Sequence, residues 1–349
     1  MISETPAQTA RHARVAAGLA ELERWLGDQV RLGLGQAGDR DWDDLAKRLV
    51  DAQAAGAAGM VARLERVRSG SAWPGALLSE YALLNLLAVA YRRRASLPPG
   101  LARTVLTRVG FTTSRAEVLA GAQVRDRWLV LGVRDEALDH VTARRVWLRG
   151  QDTGRPALIL TFTPAGHPMD ETPPSGATRE ATLAFYPAAT PLRALIAPDP
   201  ADAPDSGQAP APSPAPSGNA AAPDPADEPL IADARDSGEA SGLSEEMGGV
   251  RGWVVGREVP GAVSVEAALE EVAGAVAADP WTDAWPLLLG GVVPGRTELG
   301  GLPLHPACHD LWRLIAVSGG GPVTVAAEWT PRGLRPLTVW DDDARPVAL

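Results

Sequence analysis

Three groupings of residues in this sequence have the types and spacing that could do chemistry. Gly33-Leu34-Gly35-Gln36-Ala37-Gly38 satisfies the G-x-G-x-x-G pattern of dinucleotide-binding loops, where glycines let the backbone approach a pyrophosphate at a helix start. That chemistry needs a strand before the glycines. Here a helical pattern precedes them and a second helix start follows, so the run reads as a helix-to-helix connection and no cofactor is assigned. His305-Pro306-Ala307-Cys308-His309 places three potential metal ligands within five residues. A structural zinc site takes four, and His12, His140 and His167 show no paired spacing that would complete the set, so no metal is assigned. His305, Cys308 and His309 could instead be the Cys/His pair of an uncharacterised hydrolase, but near neighbours on one chain rarely meet as nucleophile and base, and no third orienting group is evident. Asp341-Asp342-Asp343 lacks the alternating ligands, central glycine and distal glutamate of a calcium loop. GxSxG, HExxH and GxxxxGK[ST] do not occur, and no catalytic residue is assigned.

Two other groups suit binding better than catalysis. Arg92, Arg93 and Arg94 follow a long apolar segment, where they complement a helix C-terminus or form a phosphate-binding patch. Trp281 and Trp285, beside Pro280 and Pro286, either line an interaction groove or fill a core.

The elements that must position these residues are legible from periodicity. Val15, Leu19, Leu22, Leu26 and Val30 form one helical stripe, and a second helix is expected from Asp41 as N-cap, burying Trp42, Leu45 and Leu49 and ending before Gly56. Residues 77–91 are apolar almost all round and predict the central helix that the others cover. Pro98-Pro99-Gly100 separates two short helices, the second opening with a capping box at Ser114 and Glu117. From about residue 124 the period becomes two, with strands predicted at 127–133, 144–148, 157–163 and 181–186. No helix long enough for a right-handed crossover follows these strands, which argues against a doubly wound nucleotide-binding fold. Later, Ser264 caps a helix with the stripe Val265, Leu269, Val272 and Val276. Strands are predicted at 311–318, 323–329 and 334–340, the last two joined by a turn at Pro331-Arg332-Gly333.

The fold class is therefore α+β. An N-terminal helical bundle (1–122) is followed by an antiparallel β-rich domain (123–196 and 249–349), interrupted by a long disordered acidic linker (197–248). The linker has one basic and 11 acidic residues and no aromatic, too little apolar surface to fold. Residues 1–196 hold 25 basic against 20 acidic groups, a weak footprint for nucleic acid. Of the 33 basic residues only Lys47 is a lysine, and the single cysteine excludes an intrachain disulfide. No purely apolar stretch reaches a membrane span and no secretion signal opens the chain, so a cytoplasmic location without membrane contact is expected.

With these landmarks placed, the chain resembles the region downstream of the zinc finger in bacterial, actinobacterial-type SWIM zinc finger proteins. The resemblance is carried by GLAELERWLGDQVRLGL (18–34), RLVDAQAAG (48–56), RDRWLVLG (125–132), RRVWLRG and GRPALIL (144–160) and LAFYPAATPLRALI (183–196). It continues through ADPWTDAWPLLL (278–289) and WRLIAVSGGGPVTVAAEW (312–329). The family's finger binds zinc through a CxC pair followed by CxH, which a chain with one cysteine lacks, so zinc is carried over to no residue. The finger is on a separate upstream chain, omitted by the chosen start, or lost. Such genes tend to sit beside those for AAA-type ATPases and von Willebrand A-type proteins. The resemblance thus implies an accessory role in such a system without specifying the contact, and the missing catalytic chemistry makes a non-catalytic interaction protein acting through protein contacts, with such proteins as candidate partners, the expected function. The alternatives are nucleic-acid binding through Arg92 to Arg94, Arg103 and Arg108, and the hydrolase.

Overall fold

The structure, a computed structural model, describes residues 5–68, 72–137, 141–169, 171–198, 252–308 and 311–349. The expected acidic linker lies outside the described residues from 199 onward. The chain divides into two compact units, with the boundary between Thr113 and Ser114.

The first unit is helical: α1 (Pro6–Leu32), α2 (Asp39–Asp51), α3 (Ala55–Ala62), α4 (Leu64–Val67), α5 (Trp73–Arg92) and α6 (Pro99–Val109). Thr5 starts α1 with a full capping box, its hydroxyl accepting from Gln8 N while Gln8 Oε1 accepts from Thr5 N. The stripe Val15, Leu19, Leu22 and Leu26 is buried as predicted, but Val30 is exposed because the stripe outruns the bundle. Helix α2 is capped by Gly38 rather than Asp41. Asp41 sits one turn in and accepts from Gly38 N at 2.8 Å, serving the capping role from inside the helix. Trp42 is buried and donates its indole N–H to Tyr81 Oη at 3.2 Å, tying α2 to α5. At the opposite corner Arg11 donates to Gly110 O at 2.8 Å and lies over the Phe111 ring.

Helix α5 departs from expectation. Leu77, Tyr81, Leu84, Leu87 and Tyr91 are buried, but Leu78 and Leu86 are 48% and 39% exposed, so its neighbours cover one side only. Among the described helices it alone is long and apolar enough to cross a membrane, whereas the sequence reading found no such stretch. Its hydrogen-bonded Tyr81 belongs to the bundle core.

The second unit opens with α7 (Arg115–Leu119), capped by Ser114. It belongs here rather than to the bundle because Val118 is buried against Ala184 and Leu195. Strands β1 (Gln123–Ala137), β2 (Val141–Gly150), β3 (Pro156–Pro164), β4 (Ala177–Phe185) and β5 (Ala194–Ile196) pair in the order β3-β2-β1-β4-β5, all antiparallel. β5 then returns to β3 in parallel, through Leu158 opposite Arg193 and Leu158 N donating to Leu192 O at 2.8 Å. The sheet thereby closes into a small five-stranded Greek-key barrel around Trp128, Val130, Val146, Leu148, Ile159 and Phe185. Asp126 fixes the β2–β3 turn by accepting from the amides of Asp152 and Thr153 and from the Thr153 hydroxyl. Burial alone would raise its pKa, but these bonds and the Arg127 amide outweigh it and hold the carboxyl below its ordinary range.

After the acidic segment the chain rejoins the same unit. β6 (Val254–Val255) pairs with β4, and α8 (Val265–Ala278) leads to β7 (Trp285–Val292). The buried face of α8 is Ala268, Val272 and Ala275. Leu269 is exposed, because close approach to the sheet favours the alanine side. A β8 (Glu298–Leu299) and β9 (Leu302–Pro303) hairpin precedes α9 (Trp312–Ser318). The strand expected at 311–318 is thus a helix, stopped by Gly319 in the left-handed conformation at φ 56°. β10 (Val323–Thr330), β11 (Gly333–Trp340) and β12 (Pro346–Ala348) complete a second sheet, ordered β12-β11-β10-β7. One face carries α8 and a core of Leu287, Leu289, Val325 and Val339. The other lies on the barrel, where Leu288, Ala326, Leu337 and Trp340 meet Leu129, Leu131, Trp147 and Leu158. Gly132 permits this contact: a Cβ there would come within 2.5 Å of Leu337 Cβ.

Candidate functional site

The glycine run 33–38 links two helices. Gly33 is the C-cap of α1 at φ 109° and Gly38 the N-cap of α2, with no strand before them. At the end of α5 the three arginines separate. Arg92 is ion-paired with Glu23 of α1, and Arg94 lies 4.6 Å from the Tyr91 ring centre and donates to Tyr91 O at 3.2 Å. Arg93 is the exposed C-cap. Arg94 thus closes the helix end, the arrangement its dipole favours, while Arg92 ties α5 to α1. Trp281 and Trp285 are 4% and 6% exposed, and Trp285 Nε1 donates to Glu271 Oε1, which places both in the interior rather than along a groove.

The His/Cys motif lands in a polar seam between the barrel and the second sheet. His305 is buried, its Nδ1 facing Ala307 N at 3.1 Å and its Nε2 facing Arg335 Nη2 at 2.9 Å. Each ring nitrogen therefore meets a donor, and an imidazolium would find no acceptor. Burial, with Arg335, Arg332 and Arg134 nearby and Glu136 opposing them only in part, lowers its pKa to about 4. Cys308 points its thiol at Leu334 O, 3.7 Å away, and burial pushes its pKa up. Neither side chain engages the other, so the geometry supplies no activated thiolate; His309 lies outside the described residues. Among the described residues no group of three or more His, Cys, Asp or Glu is placed to hold a metal. Asp341 is instead used locally, accepting from the amides of Asp343 and Arg345.

Two predictions arise here. Cys308 should react with a mild alkylating agent about tenfold more slowly in the folded protein at pH 7.5 than after denaturation. His305 should make stability pH-dependent. Above pH 6.5 the ring is neutral in both states; between 6.5 and about 4 only the unfolded chain takes up the proton, so stability falls as pH drops through that window. The loss should be about 2–3 kcal/mol, read as a slope in urea unfolding that is absent from His305→Gln.

The rest of the seam leaves almost no local mark in the sequence. Glu328 of β10 is 1% exposed and sits between Arg134 of β1, with Nε 2.9 Å from Oε2, and Arg335 of β11, at 3.4 Å. Arg134 lies 194 positions from Glu328, and the only sequence signal was a charge inside the mostly apolar run 323–329.

The bundle is where the chain can be compared with other proteins. Most of its described span matches one family model. Residues 10–109 match the model of the SWIM-associated four-helix bundle domain. The match runs from the first third of α1 to the end of α6 and takes in Arg92 to Arg94, Arg103 and Arg108, consistent with a region downstream of a SWIM finger. No curated protein and no solved structure matches the chain.

Proposed function

We propose that this protein is a non-catalytic interaction component of a SWIM-associated system and that its bundle is the part that engages a protein partner. The observation that carries this reading is the open face of α5. Leu78, Ala82 and Leu86 recur at four-residue steps on a helix that is apolar nearly all round, and all three are exposed. A helix of that composition is ordinarily enclosed, and a helix face of this spacing is what a partner helix packs against. The different partners of the His305 ring and the Cys308 thiol, which is half-buried, support a non-catalytic role.

Nucleic-acid binding is the weaker reading. Arg92 and Arg94 are committed within the bundle, and the outer β2–β3 face that takes oligonucleotides in small barrels of this kind is covered by Leu288, Ala326 and Leu337.

The test is co-expression with the AAA-type ATPase and von Willebrand A-type proteins that the family resemblance puts beside such genes, followed by size-exclusion chromatography. A complex should form with the intact chain. Leu78→Glu with Leu86→Glu should abolish it while changing stability by less than about 0.5 kcal/mol per site, since both side chains are exposed. No complex, or one indifferent to the substitutions, would overturn the reading.

A further inference from the structure

The polar seam of the second unit holds more cation than its carboxylates neutralise. Arg134 and Arg145 stand directly opposite each other on β1 and β2, a like-charge cross-strand pair that is destabilising unless something negative lies between them. Arg335 reaches the same space from β11, and Arg332 acts on it from the adjoining turn. Against these four stand two acids among the described residues. Glu328 is taken by Arg134 and Arg335. Glu136 is divided between Arg134 at 3.4 Å and Arg145 at 3.6 Å, the second beyond hydrogen-bonding distance. Arg145 Nε is buried without a hydrogen-bond partner among the described residues. The side chains of Arg134, Arg145 and Arg335 nonetheless remain 22%, 20% and 22% exposed, so an ion from solvent can reach them.

We propose that this seam is an oxyanion-binding site, in which a phosphate or carboxylate group is held by Arg145 and Arg134 in the field of Arg335. Guanidinium forks match both groups in two-point geometry, and a partly desolvated setting strengthens the contact. His305 lines the same space, with its Nε2 facing Arg335 Nη2 at 2.9 Å. The site lies in the second unit and does not depend on what the bundle binds.

The full chain is titrated with sodium phosphate and, separately, sodium acetate at pH 7.5, against sodium chloride at matched ionic strength. Calorimetric heat and the unfolding midpoint are the readouts. A saturable effect of phosphate beyond that of chloride assigns the phosphate class, and one of acetate alone the carboxylate class. Arg145→Met should weaken binding about tenfold, and Glu136→Gln, which removes the one carboxylate near Arg145 among the described residues, should tighten it several-fold. Arg125→Met, which removes an exposed arginine paired with Glu180, should leave binding unchanged. The proposal is overturned if neither anion exceeds chloride, if Arg145→Met binds like the parent chain, or if Glu136→Gln binds more weakly.

Discussion

Glu328→Ala should destabilise the second unit by about 3–5 kcal/mol, the cost of stripping a buried ion pair of one partner. The carboxylate is at the centre of the contact between barrel and sheet, directly opposite Arg335 on the neighbouring strand and within 2.9 Å of Arg134 on the barrel. Without it, Arg335 keeps no carboxylate partner among the described residues, and Arg134 and Arg145 share Glu136, which is itself 39% exposed. The loss is charge-specific. Replacing Glu328, Arg134 and Arg335 together by Leu, Met and Met should recover most of it, because a well-packed apolar trio avoids the desolvation cost altogether. Hydrogen-exchange protection of the 323–340 segment in the full chain is the readout. A cost below about 1 kcal/mol for the single substitution would mean that the hydrophobic layer alone joins the two sheets.

The seam also marks where sequence reasoning stops. Helices α1 and α2 were legible because their stripes repeat within a few residues, and Trp42, Leu45 and Leu49 are buried as their spacing predicts. β1 to β4 were legible by alternation. β7 was not, since Pro286 near its start and Gly290-Gly291 near its end hide a strand. Barrel closure depends on Leu158 meeting the segment at 192–193, and the seam on residues 134, 145, 328 and 335. Such pairings are set by register across strands, which local periodicity does not encode. The motif around His305 was conspicuous in sequence for its ligands. In the fold its ring faces the Ala307 amide on one side and Arg335 on the other.

The open side of α5 belongs to the same lesson read in reverse. Apolar composition predicted a covered helix, and the structure buries Leu84 and Leu87 while leaving Leu78 and Leu86 out. Hydrophobicity alone identifies a surface that excludes water without identifying what excludes it. A face that the fold leaves open is therefore where a protein partner is to be sought.

A pair of glycine substitutions should split in sign within the bundle. Gly75 lies in the first turn of α5 with open space where a Cβ would go, so Gly75→Ala should be neutral or stabilise by up to about 1 kcal/mol through helix propensity. Gly56, near the start of α3, has the same propensity argument and a stronger one against it. A Cβ there would meet Arg108 O and stand 3.0 Å from both Arg108 C and Gly110 N, all of them backbone atoms that no rotamer change can move aside. Gly110 caps α6 at φ 120°, and its own Cβ would stand 3.0 Å from Gly56 N, so the two helix ends touch glycine to glycine. This approach sets the positive start of α3 against the negative end of α6, and Arg11 of α1 binds the same corner through Gly110 O. Gly56→Ala must separate α3 from α6 and should cost about 3 kcal/mol or more, the upper part of the overpacking range. Urea unfolding of the full chain, with hydrogen exchange in 55–62 and 99–109 to place the effect, decides it. Stabilisation of Gly56→Ala to the degree seen for Gly75→Ala would show that the α3–α6 corner is not close-packed.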